Sequence, residues 1–289
     1  VMAGCSPECM PLLIAAVEAL VDNNYNLSNI GTTWGVLPFL LVNGPAIEKM
    51  GIENGGQMIS RGANPAIGRA LGLIIKNIGG ARKGIEDMGV LGNPGKYSLV
   101  FAENEEDSPW APLHVENNAG VNLGADASGV TLFFPNCYTQ ILPYGSDARG
   151  IIDGMIYNLQ PGRGGMTCLI FNPVQAKALA REGWTKQRIK NYVAEYARVP
   201  AYRHRAYHDH SLAYGRPGMT PRNPQDSMSI ISDPKFIEVI VTGGAGGFMG
   251  FLCSSANNET FVTKKIVLPT NWKKLVAKYR SMVPAYEKY

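Results

Sequence analysis

The sequence predicts an α/β protein of two similar halves related by an internal repeat, with mixed or parallel sheets and flanking helices. Three observations point there. Short apolar runs alternate with capped, helix-forming stretches along the chain. FLLVNGPAIEKMG (39–51) and CLIFNPVQAKALAREG (168–183) both read strand, Asn, Pro, short helix, Gly. Each is followed by a longer helix and then a strand, Tyr97–Phe101 in one half and Phe236–Val241 in the other, as a duplicated unit would be. The competing explanation is that strand–Asn–Pro–helix punctuation recurs in α/β proteins at large. The halves are drawn at 1–125 and 126–289, the second with a basic His/Tyr-rich loop over 200–232.

Each element has its own signal. Ser6 and Pro7 open a helix over Pro7–Leu20, and Val36–Val42 is a short continuous apolar run that reads as a buried strand. Asn43-Gly44-Pro45 ends it, and Ala46–Met50 is a short helix stopped by Gly51. Asn64–Ile78 is a helix with Pro65 near its start and Gly79-Gly80 beyond its end, and Tyr97–Phe101 is the next strand. After a Gly/Asn-rich connection at 117–129 come strand Val130–Phe134, helix Asp147–Asn158 and strand Thr167–Phe171. Gln175–Arg181 is a helix stopped by Gly183, Thr185 caps a helix to Arg198, and strand Phe236–Val241 ends in Gly243-Gly244-Ala245-Gly246-Gly247. The tail, Lys273–Lys288, reads as a mildly basic, solvated helix end.

Composition excludes several classes. At 289 residues and 45% hydrophobic content the chain can bury a full core. A net charge of +4 with no Lys/Arg run interleaved with aromatics argues against a nucleic-acid partner. No apolar run reaches membrane-spanning length, since Glu18 interrupts Pro11–Leu20. Five cysteines, an odd number in a chain of this size, read as free thiols in a reducing, cytoplasmic setting. No signal peptide is visible, and Val1 stands inside what reads as structured sequence, so a preceding segment is expected to be missing or removed.

The chemistry concentrates in GKYSLVFAENEEDSPWAPLHVE, 95–116. An apolar run stops at Glu103 and delivers Glu105, Glu106, Asp107, His114 and Glu116, with Trp110 between Pro109 and Pro112. Prolines and a Trp fix geometry where side chains must be aimed, although an acidic surface loop anchored by Trp110 would look the same. If the repeat holds, this loop and Gly243–Gly247 occupy equivalent strand ends of a pseudo-two-fold pair, both candidates for one cleft. Gly243, Gly244 and Gly246 offer backbone N–H groups to an anion or a carbonyl, or serve close backbone packing. Cys5 and Cys9 stand at a helix N-terminus, which favours thiolate, with Cys5 the better nucleophile candidate; small buried residues are the alternative. His204, His208 and His210, with Asp209, resemble a metal-ligand set, or else an anion-binding or subunit-contacting arm rich in arginine and tyrosine. Arg61, with Asn64 and Arg69 at the start of a helix, would clamp a carboxylate, or pair with the acids at 103–107.

Taken together, MAGCSPECMP (2–11), LLVNGP (40–45), RGANPAIGRA (61–70), NIGGA (77–81), LGNPGKY (91–97), AENEEDSPWAPLHVE (102–116) and the helix ending ARVP (183–200) have a known counterpart. The chain resembles the larger domain or subunit associated with the bacterial UGSC-type selenoprotein/cysteine protein family, over most of residues 1–200. The resemblance implies a partner chain or domain bearing a reactive Sec/Cys-Gly-Ser-Cys motif. Cys253-Ser254-Ser255, the nearest string here, lacks that pattern. It further implies a site at Cys5, Glu8, Asn43, Arg61, Asn64, Lys96, Tyr97, Glu103, Asn104, Glu105 and His114. No particular reaction follows from it.

The functional expectation is a cytoplasmic enzyme subunit doing thiol- or selenol-linked redox or carbon–heteroatom bond chemistry on a small polar metabolite. Glu103 or Glu105 would be the acid/base, poised by burial beside Trp110, and Cys5 a nucleophile or relay. Arg61 and Gly243–Gly247 would hold an anionic group. One alternative is a hydrolase or lyase assisted by a metal ion through His114 and the nearby acids. Another is a non-catalytic scaffold that assembles an oligomer around a Cys/Sec redox partner.

Overall fold

Pro7 opens a tight 3-10 turn, Pro7–Cys9, that runs into helix α1, Met10–Leu20. The computed structural model describes residues 2–23, 30, 33–116, 123–159, 165–204, 223–254 and 260–282. Strand β1, Phe39–Asn43, is buried along its whole length: the apolar run Phe39–Val42 and, at its end, Asn43. Helices α2 (Ala46–Lys49) and α3 (Asn64–Asn77) follow, then strands β2 (Val100–Ala102), β3 (Gly129–Phe133) and β4 (Cys137–Ile141). The second run is α4 (Ala148–Asn158), β5 (Thr167–Phe171), α5 (Pro173–Arg181), α6 (Lys186–Tyr196), β6 (Arg198–Pro200) and β7 (Ser227–Ser229). It closes with β8 (Ile237–Val241), β9 (Met249–Cys253), β10 (Val262–Lys265) and α7 (Trp272–Arg280).

Two four-stranded mixed sheets carry the fold, in the orders β10-β3-β1-β2 and β4-β9-β5-β8. Their strand senses match. β1 runs parallel to β2 and antiparallel to β3, and β5 runs parallel to β8 and antiparallel to β9. The outer strands, β10 and β4, are each antiparallel to the strand they adjoin. The registers correspond as well: Val42 opposes Ala102 where Phe171 opposes Val241. The duplicated α/β unit is therefore present, with one twist of connectivity: the last strand of each repeat pairs in the other repeat's sheet.

That exchange shifts the division of the chain. One compact unit is 1–105, 112–134 and 261–289, and the other is 106–111 and 135–260. The linear halves at 1–125 and 126–289 differ from this because β10 adds to β3 and so carries the chain's end back to the first sheet.

In the first unit α1 and α3 cover one face of the sheet, against Leu40, Val42, Val100, Val130, Leu132 and Val262. The opposite face is aromatic. Phe39 meets Phe101 edge-on at 5.0 Å and Phe133 at 5.3 Å, and Phe133 meets Phe261 at 4.5 Å. Thr131 and Thr263 share a 2.8 Å hydrogen bond on that face, so no hydroxyl is stranded there. In the second unit Leu169, Phe171, Ile237, Val239, Val241 and Phe251 pack with α4, α6 and Trp184. A buried ion pair at 2.5 Å joins Lys190 of α6 to Glu238 of β8.

The structure revises two expectations and bears out a third. Tyr97 lies in a 3-10 turn, Pro94–Tyr97, and the strand begins at Val100, because Pro94 and Gly95 favour a turn over an extended start. β4, β9 and β10 carry polar or glycine residues that blur any apolar run, and β6 and β7 are three-residue strands with no such run. The last helix is solvated as expected, with no buried residue in α7, while 283–289 lie outside the described residues. Among the described residues no helix is long and apolar enough to cross a membrane.

Phe39 sits at the centre of the aromatic face and is 1% exposed. Phe39→Ala is expected to cost about 3–5 kcal/mol, read as a lower urea midpoint with an unchanged slope.

Candidate functional site

Parallel pairing of β1 and β2 brings their carboxyl ends together, and the polar residues just beyond them meet there. Glu103 N–H donates to the Val42 carbonyl at 3.1 Å and so extends the ladder one residue past β2. Asn43, the last residue of β1, is fully buried and uses its side-chain amide twice. Nδ2 donates to Glu103 Oε2 at 2.7 Å and to Glu105 Oε1 at 2.9 Å. Glu105 Oε1 also accepts the Gly44 N–H at 2.7 Å. Gly44 takes φ +78°, and a Cβ there would sit 2.2 Å from the Ala127 carbonyl oxygen, so only glycine can make this turn.

The two glutamates differ. Glu103 is fully buried, and its Oε2 accepts a second hydrogen bond, from Leu113 N–H at 2.8 Å, which draws the returning chain against the strand end. Glu105 keeps 25% of its side chain exposed. Beside it His114 is 1% exposed, with Nδ1 3.7 Å from Glu105 Oε1. Neither ring nitrogen of His114 has a hydrogen-bond partner among the described residues, nor has Asn43 Oδ1. Buried polar atoms are rarely left so.

The equivalent end in the second unit uses the same device. Thr242 N–H donates to the Phe171 carbonyl at 3.0 Å, as Glu103 does to Val42. Asn172 caps α5 by accepting from Val174 N–H and Gln175 N–H, and its Nδ2 donates to the carbonyls of Gly246 and Phe248, both at 2.8 Å. Gln175 Nε2 donates to Gly247 O at 2.7 Å. The glycine turn's carbonyls are thus held inward, and the N–H groups of Gly243 to Gly247 make no hydrogen bond among the described residues. A Cβ on Gly243 or Gly246 would meet nothing within 4 Å, so close backbone packing does not explain these glycines.

A cleft of about 410 Å³ opens beside the Asn43–Gly44 turn, lined by Pro45, Lys49, Asp126, Ser128, Lys265 and Leu268 among others. Ser128 Oγ accepts the Ala46 N–H at 2.8 Å and pins that turn to the strand opposite. Its volume suits a small metabolite. The sequence reading missed Lys49, Ser128 and Lys265, and only the pairing of β10 with β3 could have located Lys265.

Other expected site residues lie apart from this group. Asn64 is fully buried in a structural role: it accepts Glu53 N–H and donates to the carbonyls of Glu53 and Val100. Arg61 is exposed and donates only to Gln57 among the described residues, so it neither clamps a buried group nor pairs with the acids at 103–107. Lys96 is ion-paired with Asp87 at 2.5 Å, and Tyr97 packs on Gly72. Both line an apolar cavity of about 20 Å³, room for a water and not for a metabolite. Trp110 donates its indole N–H to the Trp184 carbonyl and packs in the second unit's core, while the Glu103 and Glu105 carboxylates are engaged inside the first unit. Asn104 is half-buried and engaged within the protein.

Cys5 and Cys9 are both buried and hydrogen-bond to each other. The Cys5 bond, with help from Ser6, pulls the Cys9 thiol down, and the Cys5 thiol is pushed far up by Cys9 and by burial. Cys9, not Cys5, is therefore the thiolate-prone member, because its neighbour supplies the proton. Glu8 is buried, with Oε1 2.9 Å from the Arg280 guanidinium. Burial pushes the His204 imidazole down, and His208 and His210 lie outside the described residues. Among the described residues no group of three or more His, Cys, Asp or Glu is placed to hold a metal ion.

The chain matches no family model, no curated protein and no solved structure.

Asn43→Ala removes the donor shared by two carboxylates. It is expected to lower stability by about 2–3 kcal/mol, read by urea unfolding, since hydrogen bonds to charged groups are the strong ones.

Proposed function

We propose that the chain is the pocket-forming subunit of an enzyme that moves a proton on a small anionic metabolite, with Glu105 and His114 as the proton-transfer pair. The observation that carries this is His114, buried with neither ring nitrogen hydrogen-bonded among the described residues and with Nδ1 3.7 Å from a partly exposed, firmly held carboxylate. An imidazole has one nitrogen for donating and one for accepting, which suits it to pass on what a neighbouring carboxylate takes up. Glu105 accepts from Asn43 and Gly44, bonds that fix its orientation and leave its outer edge to the substrate. Glu103 is a positioning residue, because its bonds to Asn43 and Leu113 hold the loop that carries His114.

The substrate class is drawn from the cleft of metabolite size beside the Gly44 turn, whose charged lining residues are Lys49, Lys265 and Asp126. The reactive sulfur is assigned to a Cys- or Sec-containing partner chain, as the family resemblance implies.

The test begins with a panel of small carboxylates and phosphates screened by thermal shift against the purified protein. The stabilising compound is then followed by mass spectrometry with the partner chain that co-purifies. Glu105→Gln and His114→Asn are each expected to lower turnover by about 10²–10⁴-fold while the melting temperature stays near wild type. Glu103→Gln is expected to lower the melting temperature instead. Wild-type turnover in both Glu105→Gln and His114→Asn overturns the assignment.

A further inference from the structure

Two thiols outside this site are set against each other by the second sheet. Cys137 begins β4 and Cys253 ends β9, and the antiparallel register makes them direct partners. Residues directly opposed in an antiparallel pair share one face, with Cα atoms about 4.5–5.5 Å apart, inside the roughly 4.4–6.8 Å span a disulfide bridges. Thr167, which opposes Cys253 across β5, donates its hydroxyl to Cys253 Sγ at 3.7 Å and holds that sulfur in the row. Both cysteines are partly exposed, unlike Cys5, Cys9 and Cys168, which are buried. They lie at the amino end of β5, the opposite end of this sheet from the glycine turn.

We propose that Cys137 and Cys253 are a redox-active dithiol that exchanges reversibly with low-molecular-weight disulfides to form a cross-strand disulfide. This does not rest on the proton-transfer reading. Cys137 is the attacking sulfur: in the dithiol its S–H donates to the Cys253 carbonyl at 3.9 Å, contact with the Cys253 thiol draws it down to about 7, and the same contact together with burial pushes Cys253 up. The Cys137 thiolate attacks one sulfur of the external disulfide, forms a mixed disulfide and expels a thiolate. The Cys253 thiol then yields its proton to an expelled thiolate and attacks Cys137 Sγ, releasing the second thiolate. Two protein thiols lose two electrons and two protons, and the external disulfide becomes two thiols.

The full chain is equilibrated in glutathione/glutathione disulfide buffers, quenched with iodoacetamide and mapped by peptide mass spectrometry. The expected product is a Cys137–Cys253 cross-linked peptide, lighter than the dithiol form by about 2 Da and abolished by dithiothreitol. Cys253→Ser is expected to leave Cys137 as the glutathione mixed disulfide, and Cys137→Ser to leave Cys253 unmodified. Without disulfide, alkylation of Cys137 at pH 7 is expected to run about tenfold faster than that of an unperturbed thiol. Wild-type protein in which both residues stay as thiols, or in which Cys137 carries glutathione while Cys253 stays free, overturns the proposal. The wild-type arm decides even where a variant fails to fold.

Discussion

An asparagine at the carboxyl end of one inner strand in each sheet ties down the loop that leaves its parallel neighbour. Asn43 and Asn172 follow strands that pair in the same senses and register, and each reaches across to the loop leaving the parallel neighbour. In the first unit the amide donates to two carboxylates, and in the second to two backbone carbonyls. A parallel pair leaves its two outgoing chains side by side with no hairpin to join them, so a side chain must tie them. The amide group can do this buried and uncharged, where a lysine or arginine would bring the cost of a buried cation.

Duplication with reciprocal strand exchange follows from the same arrangement. β4 and β10 each complete the other repeat's sheet, so neither four-stranded sheet is encoded by one continuous segment. Both sheets place an antiparallel edge strand beside β3 or β9 and a parallel edge strand at the other side. Identical scaffolds have then been given different chemistry at their ends. Glu103 stands where the other repeat has Thr242, and acids follow in one loop where glycines follow in the other.

Buried charge separates support from site. Lys190 and Glu238 form a closed pair at 2.5 Å in the second unit, the geometry in which a buried charge is tolerated. Glu103 is likewise saturated by Asn43 and Leu113 N–H. His114 differs, buried beside Glu105 at 3.7 Å with neither ring nitrogen hydrogen-bonded among the described residues.

Local chemistry was legible in the residues themselves. The apolar runs of β1 and β5, the proline-opened helices α1 and α5, and the repeat of strand–Asn–Pro–helix all follow from short-range steric and burial preferences. The loop that carries Glu103, Glu105 and His114 was legible in the same way, whereas Asn43 was joined to them only by what the family resemblance implies. Long-range pairing decided the rest. A strand such as CYTQI or VTKK has too few apolar side chains to declare itself, and it becomes one only when a neighbour supplies the ladder. So the exchange of β4 and β10, the cleft with Lys265, and the meeting of Cys137 with Cys253 belonged to tertiary structure. Tertiary structure also turned Arg61 outward, packed Trp110 against another core and buried Cys5. Hydrogen-bond partners and burial are properties of contacts between distant segments, and no local pattern contains them.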